Sequence, residues 1–421
     1  MFDNSKITEK AILVGVHTGS RDILSDCTAE SMAELAALAE TAGAEVLGEI
    51  TQNRDRIDTA TYVGEGKLEE IREACENLEA NLVIFDDELT GSQLKNIESA
   101  LSVRVIDRSA LILDIFAGRA LSGEGKLQVE LAQLKYTLPR LAGGYQSMSR
   151  LGGGIGTRGP GETKIESDRR HIRTRIHALE DEIAEIKKHR ELIRARRTKN
   201  QIPTAALVGY TNSGKSTLLN LLTGAGVLAE NMLFATLDPT ARGIIMPDGR
   251  QAILVDTVGF IRKLPHHLIE AFKSTLEEAV TADVLLHVID TSSPETENQI
   301  QVVESLLSQL GCDGKPRISV YNKIDLTDNF TPRAPYPETS VFISAAQNRG
   351  IDELMTSLDE LLPGKRRELT VLLPYSMGGA ANEMREANAL ISEEYTPEGI
   401  KLSFLADPSM YAKYKDYKIQ Q

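Results

Sequence analysis

No run of 18 apolar residues occurs anywhere in the 421-residue chain, so no segment reads as a membrane span. The opening segment, MFDNSKITEK, lacks the apolar core of a secretory signal. Cysteine is scarce: Cys27, Cys75 and Cys312 are scattered and odd in number. That pattern argues against a disulfide framework or a metal cluster and for a reducing, cytoplasmic setting. There is no internal repeat and no low-complexity tract. Positive charge is also in deficit, with 47 Lys and Arg against 61 Asp and Glu, a net charge of −14. Taken alone, that balance disfavours a nucleic-acid partner.

The distribution of charge points the other way. Residues 140–200 hold 15 Lys and Arg against 8 Asp and Glu, a local balance of +7 that leaves −21 for the remainder. One basic segment therefore lies in an acidic body. The length predicts two to four domains, and a 41% hydrophobic content supplies a sizeable core.

Residues 1–107 alternate apolar runs with helical stretches. AILVGV (11–16), AEVLGEI (44–50), NLVIFDD (81–87) and VRVIDR (103–108) read as strands, with helices between them. The pattern predicts a small α/β layer with a mainly parallel sheet. No complete phosphate loop follows any of these strands, and GEGK (64–67) is too short a match to carry one. The period then changes. Leu127, Leu131, Leu134, Leu138 and Leu141 are spaced 4, 3, 4, 3, and Ile172, Ile176, Leu179, Ile183, Ile186 and Ile193 keep the rhythm, with Arg190 at one position where an apolar residue belongs. Two such seams predict an antiparallel helical hairpin over 108–200. Its second helix would span 166–197, about 45–50 Å at 1.5 Å per residue, and Pro139 should end or kink the first. The basic tip would lie at about 141–165. It contains GIGTRG (154–159), which fits the dinucleotide fingerprint letter for letter. That fingerprint needs a buried strand before it, and GGYQSMSRL is not one. The tip reads either as a flexible linker or as a pliable contact element for a phosphate-rich surface.

Residues 201–364 predict a doubly wound α/β domain with strands at IPTAALVGY, QAILVDT, DVLLHVID, RISVYNK and VFISA. A small α/β appendage, 365–421, starts at RELTVLLP. The chemistry concentrates in the doubly wound part. GYTNSGKS, Gly209, Tyr210, Thr211, Asn212, Ser213, Gly214, Lys215 and Ser216, lies between an apolar strand and the helical TLLNLLTG that Thr217 opens. In that context it is a Walker A loop: backbone N–H groups cradle phosphates, Lys215 reaches the β- and γ-phosphates, and Ser216 holds Mg²⁺. In DTVGF, Asp256 can hold Mg²⁺ through water and Gly259 can turn its N–H toward a γ-phosphate. In YNKID, Asn322, Lys323 and Asp325 form a guanine reader. Asp325 would accept from the ring N–H and exocyclic amine, a donor pair that adenine does not offer. Ser344 and Ala345 fall where the remaining base loop belongs. LFATLDPTARG, which contains Phe234, should carry the magnesium-binding switch threonine. Thr236 and Thr240 both qualify, and Thr236 is preferred. Phe260 stands where many GTPases place a water-orienting Gln, so slow intrinsic turnover is expected. Asn212 is either a potassium-site residue or a local loop cap.

Together these residues resemble the HflX family of translation-factor-class GTPases. The GTPase motifs alone fit many families. The specific part is VIDRSALILDIFAGRALSGEGKLQVELAQLKYTLPRL followed by GGGIGTRGPGETKIESDRR, with LFATLDPT and DTVGFI in support. The resemblance covers residues 10–364, with a looser match beyond. It implies a P-loop GTPase domain, an N-terminal α/β layer with a long hairpin and a small C-terminal domain. It further implies GTP and GDP with Mg²⁺, K⁺ at Asn212, and, as reported for some members, ATP in the N-terminal domain, where residues 1–107 offer no clear site. The implied partners are the large ribosomal subunit and 70S ribosomes, engaged by a monomer in the cytoplasm, on ribosomes or peripherally on a membrane. The implied work is GTP-dependent ribosome splitting or rescue under stress, with hydrolysis stimulated by the ribosome. The hairpin loop, Gly152–Gly161, would reach rRNA near the peptidyl-transferase centre, with Arg150, Gly154, Gly156 and Arg158 as contacts. A ribosome-assembly GTPase and a regulatory switch for a protein partner are the alternative functions.

Overall fold

A computed structural model of the chain describes residues 9–19, 27–141, 160–199, 202–224, 233–234, 240–265, 268, 273–327, 339–387 and 389–419; for 160–165, 193–199, 273–275 and 408 it describes the backbone alone. The first sheet is wholly parallel. Its strands are β1 (Lys10–His17), β2 (Glu45–Asn53), β3 (Leu82–Phe85) and β4 (Arg104–Asp107), in the order β2-β1-β3-β4. Helices α1 (Ala29–Thr41), α2 (Glu65–Leu78), α3 (Gly91–Leu101) and α4 (Arg108–Arg119) alternate with the strands. Central β1 reads as an unbroken apolar run because both faces are covered: Ala11 and Leu13 join one core and Ile12, Val14 and Val16 the other. Asp107 closes β4 and caps α4 by accepting from the Ala110 N–H.

Helices α5 (Gly123–Arg140) and α6 (Pro160–Lys199) follow. Leu131, Ile176 and Leu179 are buried between them, flanked by Leu127, Leu134, Leu138, Ile172 and Ile183. Glu124 pairs with Arg190 and Lys135 with Glu180, so α6 descends as α5 climbs. Arg190, out of pattern in the sequence, takes its place in the seam through Glu124, 2.7 Å away. Helix α6 begins earlier than its periodicity indicated, at Pro160, where a proline costs no intrahelical hydrogen bond. The tip loop between these helices lies outside the described residues.

The second sheet has six strands in the order β10-β9-β8-β5-β7-β6. They are β5 (Thr204–Gly209), β6 (Thr240–Ile245), β7 (Gln251–Asp256), β8 (Val284–Asp290), β9 (Arg317–Asn322) and β10 (Thr339–Phe342), with helix α7 (Lys215–Thr223) after β5. All pairs are parallel except β6 with β7. Strand β6 departs from the sequence reading, which placed its first residues in the switch loop. It is an edge strand in which only Ile244 is buried, so it carries no hydrophobic alternation. The turn Pro247–Asp248–Gly249, with Gly249 at φ +78°, is the signal that marks its hairpin. The last unit is a three-stranded antiparallel sheet, β11 (Arg367–Leu373), β13 (Gly399–Ala406) and β12 (Leu390–Thr396). It has its own core around Val371, Met384, Leu402 and Phe404.

One apolar cluster runs without a break from the first sheet's helices into the second unit. Ile112, Ile115 and Phe116 of α4 share it with Tyr210, Phe234, Val258, Phe260 and Ile261. Phe116 meets Phe234 edge-on at 4.6 Å between ring centroids.

Candidate nucleotide site

The phosphate loop turns out of β5 into α7 at the carboxyl end of the second sheet, where ligands bind in open α/β folds. Its glycines are dictated by close approach. A Cβ on Gly209 would come 2.3 Å from the Val288 carbonyl oxygen, and one on Gly214 (φ +94°) would come 2.2 Å from the Asn322 amide nitrogen. Asn212, at the loop's crest, is exposed with φ +60°. Lys215 is buried, and its Nζ donates to the carbonyls of Gly209 (3.1 Å) and Tyr210 (2.7 Å). Burial lowers its pKa to about 8, against an opposing pull from Asp256. Thr211 Oγ1 and Ser213 Oγ are buried and have no hydrogen-bond partner among the described residues. Buried hydroxyls without partners suit the oxygens of a bound phosphate. Thr217 is half-buried in the first turn of α7.

Asp256 ends β7 beside this loop, and Ser216 Oγ donates to its Oδ2 at 2.8 Å. A hydroxyl and a carboxylate side by side are hard oxygen donors, which fit Mg²⁺. No group of three or more His, Cys, Asp or Glu suited to a metal occurs among the described residues; Ser216 directly and Asp256 through water would serve the ion together with nucleotide phosphates. Gly259 passes so close to the phosphate loop that a Cβ would sit 2.9 Å from Thr211 Cα and 3.1 Å from Lys215 Nζ. Phe260 is fixed by its backbone: its N–H donates to Gly209 (3.0 Å), and its carbonyl accepts from Thr211 (2.7 Å). Its ring is buried and offers no group to orient water.

At the base end, Asn322 links two loops. Its Nδ2 donates to the Ser213 carbonyl at 2.9 Å, and its Oδ1 accepts from the Ala345 N–H at 3.0 Å. One amide hydrogen remains for a base. Lys323 adopts φ +67° and donates through Nζ to Asp290 at 2.6 Å. Asp325 Oδ1 is buried with no hydrogen-bond partner among the described residues. Ser344 Oγ accepts from the Gln347 N–H at 3.1 Å and shapes the neighbouring loop.

The structure thus brings Gly209 to Thr217, Asp256, Gly259, Asn322, Lys323, Asp325, Ser344 and Ala345 to one pole. Phe234 is turned instead into the core against Phe116. Thr240 opens β6 opposite Asp256. Thr236, Arg150, Gly154, Gly156 and Arg158 lie outside the described residues. Motif reading missed Asp290, which holds Lys323, and Arg262 and Lys263, which follow DTVGF; Arg262 pairs with Glu295 and Lys263 reaches the first sheet. Their only sequence signal is position, just past the switch glycine. No helix among the described residues is long and apolar enough to cross a membrane.

Residues 29–117 match a family described as GTP-binding GTPase N-terminal, residues 119–197 the GTP-binding GTPase middle region, and residues 204–323 the 50S ribosome-binding GTPase family. The chain is similar to GTPase HflX of Caldanaerobacter subterraneus subsp. tengcongensis, 55% identical over 402 residues that cover 96% of this chain and 92% of that protein. It is similar to GTPase HflX of Escherichia coli at 43% identity over 404 residues, 95% and 93% of the two chains. Among solved structures it is similar to a GTP-binding protein of the archaeon Sulfolobus solfataricus in complex with GDP. That match is 28% identical, covers 84% of this chain and 98% of that one, and has a TM-score of 0.44.

Proposed function

The chain belongs to the HflX family of GTPases, and on that premise we propose that it couples GTP binding and hydrolysis to the splitting or rescue of ribosomes through the large subunit. The observation that carries the reading is the convergence of the phosphate loop, Asp256, Gly259, Asn322 and Asp325 at one end of the second sheet, with the buried ring of Phe260 where water needs a hydrogen-bonding guide. The 50S ribosome-binding description of residues 204–323 supports the partner.

In this reading the N–H groups of Gly214 to Ser216 and the Lys215 ammonium hold the phosphates. Ser216, Asp256 through water, and Thr236 would hold Mg²⁺, which would supply charge neutralisation for the phosphates. Gly259 presents its N–H to the γ-phosphate, the Asn322 amide and Asp325 select guanine, and Asn212 would serve a K⁺ ion. Lys323 covers the base, and Ser344 and Ala345 complete its loop. The basic hairpin tip, with Arg150, Gly154, Gly156 and Arg158, docks on rRNA near the peptidyl-transferase centre. The ribosome then supplies what Phe260 lacks, and hydrolysis releases the factor. We assign the units to residues 1–107, 108–200, 201–364 and 365–421.

Sedimentation of 70S ribosomes with the protein and a nonhydrolysable GTP analogue tests the reading. Separation into subunits with the analogue and not with GDP is the expected result. An unchanged 70S peak, with binding confined to large-subunit precursors, would favour the assembly alternative instead.

A further inference from the structure

The first sheet reverses its strand order between β1 and β3, which opens a crevice beyond their carboxyl ends. A lysine from the second unit fills it. Lys263, four residues past Gly259, donates through Nζ to Asp86 Oδ2 (2.6 Å) and Asp87 Oδ1 (2.7 Å). Asp86 is fully buried and also takes Ser31 Oγ (2.7 Å) and Arg108 Nη1 (2.8 Å). Arg108 reaches Glu34, and Glu34 accepts from the hydroxyl of Tyr210 in the phosphate loop. The same tyrosine oxygen accepts from the Arg262 N–H at 2.9 Å. Asp87 also accepts from Tyr62. The phosphate loop and the segment after the switch glycine are thus gripped by one ionic cluster that belongs to the first sheet.

Burying ions is a poor way to gain stability, because desolvation consumes most of the attraction. The cluster's geometry is specific. Lys263 holds φ +53°, a left-handed conformation that a non-glycine residue keeps only when its surroundings impose it. The turn that imposes it continues directly to the hairpin. Glu88 and the Leu89 carbonyl accept from Arg140 Nη2 at 3.0 and 2.8 Å, and Arg140 is the last residue of α5 before the tip. Asp107 accepts from Arg140, Tyr136 and the Leu89 N–H, adjacent in sequence to Arg108. The approach is close: a Cβ on Gly91 would lie 2.9 Å from Arg140 Cα.

We propose that Lys263 is a positioning residue for GTP turnover and that the turn Asp86–Leu89 couples it to Arg140, so that nucleotide state and contact at the hairpin tip bias one another. The proposal rests on the nucleotide reading of residues 209–216 and 256–260. Segments next to a γ-phosphate contact shift when that contact is made or lost. The structure shows Lys263 between Asp86 and Asp87, and its departure would be the second of the two discrete arrangements that coupling requires. Linkage makes the effect reciprocal.

The test is a double-mutant cycle read as the ratio of affinities for a nonhydrolysable GTP analogue and GDP. The variants are Lys263→Met, Arg140→Met and the pair, with Asp87→Asn as a second break in the crevice and Lys263→Arg as the conservative control. No hydrogen bond or ion pair joins Lys263 to Arg140 among the described residues. Each single loss should change the ratio by about fivefold to tenfold, the double should change it no further, and Lys263→Arg should restore it. Ratios that multiply independently in the double variant, or that stay unchanged in every folded variant, overturn the coupling. Wild-type protein that binds neither nucleotide would overturn the nucleotide reading itself.

Discussion

Two sheets in this molecule, one wholly and one mainly parallel, place their working ends in the same way and do opposite chemistry there. Beyond the second sheet, glycines at 209, 214 and 259 clear space, and N–H groups and Lys215 collect around it, a basin for phosphate. Beyond the first sheet, Asp86, Asp87 and Asp107 collect, and the cations they hold, Lys263, Arg108 and Arg140, come from the chain itself. The architecture fixes where a site is; the side chains fix what it takes. In the second unit the ligand arrives from outside, whereas in the first the ligand is the other unit's switch. Arg108 shows how fully that contact is built in, since the side chain is buried with Glu34 and Asp86 on either side.

The largest effect that separates the two poles comes from Lys215→Ala. It removes the charge from the phosphate basin and should weaken GTP binding by about a hundredfold or more in equilibrium titration. The acidic pole should respond differently, with nucleotide binding kept and only the preference between GTP and GDP altered. Next, Asp325→Asn should turn preference from guanosine toward xanthosine triphosphate by at least about tenfold, because the acceptor for two guanine donors becomes a mixed group. Neutralising Asp87 should leave that base choice untouched; retained guanine selectivity in Asp325→Asn would refute the assignment of the base end.

A pH series sharpens the comparison further. Burial sets the Lys215 pKa at about 8 in the free protein. Bound phosphate favours the charged amine, so affinity is full below that value and declines above it, by about tenfold per pH unit while other groups hold their charge. A flat profile from pH 7 to 9 in the wild type would contradict a Lys215 amine that loses its charge near pH 8 in the free protein and holds phosphate when charged. The smallest effect expected is from Asp290→Asn. It frees Lys323 from a largely buried partner and should weaken guanine nucleotides about twofold to fivefold in the same titration.

The loops that carry Gly209, Gly214 and Gly259 were legible in the sequence because their motifs encode backbone geometry. Gly259 is a glycine because Thr211 and Lys215 leave no room for a side chain, and such constraints survive as letters. The strands were legible where both faces are covered, as in β1 and β8. Strand β6 was not, because an edge strand with one buried residue has no pattern. Lys263 and Arg262 were not legible for a different reason. A lysine in a polar stretch looks the same whether it meets water or two buried carboxylates, and its partners lie 176 and 177 residues away. Phe234 read as a switch-loop residue, and only the packing of α4 shows why an aromatic stands there.

The claim that joins these parts is that the free protein holds GTP in an incomplete active site. Steady-state GTP turnover against rising concentrations of large ribosomal subunits tests it most directly. The account predicts slow turnover in their absence and a steep, saturable rise as they bind. Turnover that stays flat while the subunits demonstrably bind would contradict it.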